Sequence, residues 1–189
     1  MFLEKFSDVE RDLLASLPWR AGLWVSRAEQ GGGSDADEAE RKALEGILSA
    51  HAQVSVSAFV QEIIAETLKC RTAWASWGNN NKAVPEDCKR AVAAVVAKLS
   101  EKEAEAFRAA IMDIGLAVAR AFSETEEKGR VSVGTAPKLD FVMWMIDGVE
   151  KMFCKLLGLQ KKDDVGTILN VSSTEGKALA ILSAALRGK

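Results

Sequence analysis

Apolar residues recur along this chain at spacings of three and four, the period of a helix with one buried face. Val9, Leu13, Leu14 and Leu17 share such a face and predict a helix over 7–17. Further apolar stretches predict helices over about 18–29, 35–50, 54–77, 85–98, 101–122, 137–157 and 173–187. The run Phe141–Ile146 makes the seventh of these the most apolar and the expected centre. Strict alternation is almost absent; only Val131–Val133 and Val165–Leu169 read as short extended pieces, and no sheet is expected.

The punctuation agrees with the periodicity. Ser-x-x-Glu, the capping-box pattern, occurs at Ser7/Glu10, Ser100/Glu103, Ser123/Glu126 and Ser172/Glu175. Pro18, Pro85 and Pro137 each precede an apolar periodic stretch, where a first-turn proline loses no hydrogen bond. Gly31–Gly33 and Gly78–Val84 read as breaks. The prediction is all-α: about eight helices in one bundle-like domain, 1–189.

One helix pattern occurs twice. Gly22-Leu23-Trp24-Val25-Ser26-Arg27-Ala28 and Gly115-Leu116-Ala117-Val118-Ala119-Arg120-Ala121 agree at five of seven positions, 93 residues apart. The expectation is an internal pseudo-two-fold repeat, with halves 7–98 and 100–189.

Charge and composition narrow the function classes. A net charge of −2 offers no general attraction to nucleic acid. No run approaches the roughly 18–20 apolar residues of a membrane span. The start MFLEKFSDVE carries acids where a signal peptide needs a basic start, so a cytoplasmic protein is expected. Cys70, Cys88 and Cys154 are odd in number and widely spaced, which points to reduced, packed thiols. Phosphate-loop, dinucleotide and zinc-protease motifs are missing. The single histidine, His51, falls just past a predicted helix end and reads as a solvated or capping residue rather than a catalyst.

Two constellations could carry chemistry. The first is the acid-rich segment Ser34–Glu40. Asp35, Asp37 and Glu40, with Glu29 on the preceding helix, could hold a hard cation such as Ca²⁺ or Mg²⁺. The plainer reading is a helix start that favours negative charge. The second is charge inside apolar helices: Arg20 and Arg27, Asp113 and Arg120, Asp140 and Asp147, each pair seven apart. Asp113 lies in a markedly apolar context and needs a partner if buried. An ion-pair set holding the halves in register is expected, with a metal or anion pocket as the alternative. Trp74 and Trp77, three apart beside Gly78, predict helix-end packing or, if exposed, a contact patch.

Helix, glycine-and-acid turn, then a helix with early glutamates resembles the tellurite-resistance TerB-like family. Ala28-Glu29-Gln30-Gly31 stands where that family typically has Ala-Asp-Gly, and Glu38 and Glu40 follow. The resemblance covers about 18–50 and, more weakly, 110–150. It implies a cytoplasmic, non-enzymatic helical protein tied to stress response and divalent metals. The leading expectation is therefore a non-catalytic binding or scaffold protein with a protein partner. Two alternatives stay open: a metal-dependent enzyme using Asp113, Asp140 and Asp147, and a structural protein that self-associates, for instance as a homodimer, through Trp74, Trp77 and the last helix.

Overall fold

The computed structural model describes residues 1–28, 34–55, 57–79, 81–127 and 173–188, with the backbone alone at 34–37, 39, 40, 122–127 and 173. Among these residues there are seven α-helices and no strand: α1 (Asp8–Ser26), α2 (Ser34–Val54), α3 (Ala58–Lys69), α4 (Trp74–Gly78), α5 (Val84–Lys98), α6 (Glu101–Glu127) and α7 (Ser173–Leu186). Short 3₁₀ turns at Leu3–Lys5, Arg71–Ala73 and Asn81–Ala83 join or precede them.

α1 and α6 form the centre. α2 and α3 pack on each other and on both central helices, and α5 and α7 do the same. In α1 every residue from Leu14 to Leu23 is buried, and in α6 Ile114 to Ala119 are buried. Helix segments buried on every side must be largely apolar; the heptapeptide at 115–121 falls mostly on such a segment, whereas the one at 22–28 begins at its end and runs out to exposed Arg27. Both glycines of the repeat sit where a neighbour presses close. A Cβ on Gly22 would stand 2.4 Å from Leu44 of α2 and 3.4 Å from Ile114 of α6. One on Gly115 would stand 3.2 Å from Leu179 of α7 and 3.4 Å from Val25 of α1. Hydrogen at these positions lets α1 and α6 approach each other and their flanking helices.

Several predicted boundaries are corrected. The expected helices 7–17 and 18–29 are one helix, with Pro18 inside it. An interior proline costs about 3 kcal/mol and frees the carbonyl four residues back. Burial on both sides of Pro18 offsets that cost, and the buried hydroxyl of Thr67 in α3 donates to the Ala15 carbonyl at 2.6 Å, one residue from the carbonyl that Pro18 leaves free. The expected helix 54–77 is instead α3, a 3₁₀ turn and α4. The break begins at Cys70, where the Arg71 side chain donates to the Leu68 carbonyl at 2.6 Å and so serves the open helix end. Val9 is 70% exposed and does not belong to the buried face.

The caps follow the pattern in part. Ser7 and Glu10 make a full capping box. Ser100 accepts from the Glu103 N–H, but the Glu103 carboxylate reaches across to the Ser57 hydroxyl at 2.7 Å, tying α6 to the start of α3. Ser123 and Glu126 do not start a helix, because α6 runs through them. Pro85 stands in the first turn of α5 as predicted. The predicted helix 137–157, Pro137 and the extended pieces at 131–133 and 165–169 lie outside the described residues.

Candidate functional site

Among the described residues a buried ion pair lies between α1 and α5. Apolar Val84, Cys88, Ala91, Val92 and Val95 form the inward stripe of α5, and Asp87 falls on the same stripe. It meets Arg20, which sits in the fully buried stretch of α1. The guanidinium donates to the carboxylate at 2.7 Å, with the two side chains 6% and 9% exposed. Arg90, one turn further along α5 and largely exposed, donates to the other carboxylate oxygen at 3.0 Å. A buried carboxylate thus accepts from two arginines, one inside and one at the rim.

Neighbouring residues of α1 and α5 are buried as well. The Trp19 and Trp74 rings stack with centroids 3.9 Å apart. The Trp74 indole N–H donates to the Thr67 carbonyl, and the Arg71 guanidinium lies over the Trp74 ring, 5.6 Å from its centroid. Asn81, with its amide oriented by its hydrogen bonds, donates to the Arg20 carbonyl at 3.1 Å and accepts from the Trp24 N–H at 3.2 Å. Cys88, beside Asp87 and fully buried, has its thiol pushed up to about 12 by burial. It is held as an unreactive thiol. The Trp19 indole N–H has no hydrogen-bond partner among the described residues.

The residues singled out from sequence fall in different places. Arg20 is buried as expected for a charge inside an apolar helix, but its ion pair reaches Asp87, which the sequence reading did not single out. Arg27 is exposed and donates to the Gly78 carbonyl at 3.3 Å. Asp113 and Arg120 are half-buried on α6, and burial lowers the Arg120 pKa. Asp140 and Asp147 lie outside the described residues. So does Glu29, and of Asp35, Asp37 and Glu40 only the backbone is described, in the first two turns of α2. Among the described residues no three His, Cys, Asp or Glu side chains gather as a metal cluster. Trp74 is buried and Trp77 half-buried against the core, so helix-end packing is their role.

His51 is a correction. It was expected to be solvated or to cap a helix; it is 4% exposed, because α2 continues to Val54 and carries it under neighbouring helices. Burial lowers its pKa to about 4. Its Nε2 has no partner among the described residues.

A second polar site is a cleft of about 310 Å³ between the start of α6 and the end of α7. Arg108 fills its floor. It donates to Glu101 and Glu105 and, at 3.0 Å, to the Leu186 carbonyl. Burial opposes its charge, but the two carboxylates outweigh that and raise its pKa. The cation serves the open carbonyl end of α7.

No helix among the described residues is long and apolar enough to cross a membrane. The chain matches no family model, no curated protein and no solved structure.

Proposed function

We propose that this protein is a non-catalytic helical scaffold or binding protein, TerB-like in kind, that presents an outer helix surface to a protein partner. The reading rests on one observation: the buried Arg20–Asp87 ion pair joins α1 to α5. Arg20 and Asp87 meet at 2.7 Å, with their side chains 6% and 9% exposed. An enzyme of the carboxylate type needs charged groups facing an open, wet cavity. Here the buried carboxylate already accepts from two guanidinium groups. The expected role of the pair is to fix α1 against α5. The similar segments that begin at Gly22 of α1 and Gly115 of α6 are read as a duplicated scaffold.

Response to a divalent cation is part of this proposal and rests on the sequence of the acid segment. The test is thermal unfolding of the full chain with EDTA or with millimolar Ca²⁺, Mg²⁺ or Zn²⁺. A ligand that binds only the folded state raises Tm with its excess. A rise with one cation, lost in Asp35→Asn/Asp37→Asn/Glu40→Gln but kept in Arg20→Met/Asp87→Leu, supports a cation-responsive scaffold. No rise leaves these acids as helix-terminus charges and removes the cation from the proposal. A rise lost in the Arg20→Met/Asp87→Leu variant instead would make the buried pair part of a site and overturn the scaffold reading.

A further inference from the structure

We draw no further inference here: the strongest candidate, the outward face of α7 where Ala180, Ile181 and Ala184 stand exposed beside Lys177, carries no proposal because nothing in the structure shows what covers it.

Discussion

A charge or an imidazole taken out of water leaves a signature in the dependence of stability on pH, and two residues here carry opposite kinds of environment. His51 is buried, with its folded pKa lowered from 6.5 to about 4. Below pH 6.5 the unfolded chain binds a proton that the folded chain refuses, so stability falls as pH drops from 6.5 towards 4. The full loss is about 3 kcal/mol, at 1.36 kcal/mol per unit. Glu10 is held down to about 2, first by the hydrogen bond from Lys98 and then by Ser7. Its contribution is present above pH 4.5 and is lost as pH falls from 4.5 towards 2. Urea unfolding across this range is expected to show both windows. His51→Leu should flatten the upper one and leave the lower, and Glu10→Gln should do the reverse; an unchanged slope between pH 6.5 and 5 in His51→Leu would contradict the buried imidazole. The Arg20–Asp87 pair behaves differently, because removing one partner strands the other. Arg20→Met is expected to cost about 3 kcal/mol, since Arg90 only half compensates. Arg20→Met/Asp87→Leu is expected within about 1 kcal/mol of the parent protein. A double variant as unstable as the single one would mean that the pair contributes more than mutual compensation. Asp87 was hidden in sequence by its position. Two residues after Pro85, it reads as an acid favoured by a helix start. The signal that gives it away is its place on the stripe of Val84, Cys88, Ala91 and Val95.

Helix contacts add a second layer, in which a missing side chain matters as much as a present one. Three glycines in helices differ in the space around them. At Gly22 a Cβ would stand 2.4 Å from a terminal methyl of Leu44, a side chain that is 2% exposed and would have to shift. At Gly115 the tightest contacts are 3.2 and 3.3 Å, to the ends of Leu179 and Leu182. At Gly176 nothing lies within 4 Å. Alanine improves helix propensity by about 1 kcal/mol, while overpacking costs about 1–3 kcal/mol. Gly22→Ala is therefore expected to destabilise by about 1–2 kcal/mol, Gly115→Ala to change little, and Gly176→Ala to stabilise by about 0.5–1 kcal/mol. Chemical denaturation of the three variants checks the order; a stable Gly22→Ala would mean that α1 and α2 are not in close contact there. The helical content was legible because three- and four-residue periodicity is a local property. The boundaries were less so. Proline reads locally as a helix start, yet Pro18 lies within α1, where burial from Leu14 to Leu23 overrides local preference. The opposite error occurred at 54–77, where an unbroken apolar rhythm hid the break at Cys70.

At the scale of the whole molecule, the two central helices explain why an apolar helical pattern was legible in sequence and the buried ion pair was not. A helix segment buried on every side is dominated by apolar residues, so its pattern stands out. A site built from Arg20 on α1 and Asp87 on α5 depends on contacts between distant parts of the chain, which periodicity does not encode. The same closed centre gives a direct test of rigidity. Cys88 is 0% exposed, and burial holds its thiol at about 12, so reagents reach it only when α5 leaves α1. In a Cys70→Ser/Cys154→Ser background, labelling of Cys88 by an aromatic disulfide should run at least ~10³-fold slower than in the urea-unfolded chain. That ratio follows if access needs global opening of about 5 kcal/mol or more. Arg20→Met should speed the reaction by roughly 10²-fold, since about 3 kcal/mol of interior pairing is lost. Slow labelling with that acceleration means that the ion pair and the core open as one unit, the behaviour required of a rigid scaffold. Fast labelling in the parent protein would mean that α5 separates locally, and the interior pair would then border an accessible space rather than fasten two helices.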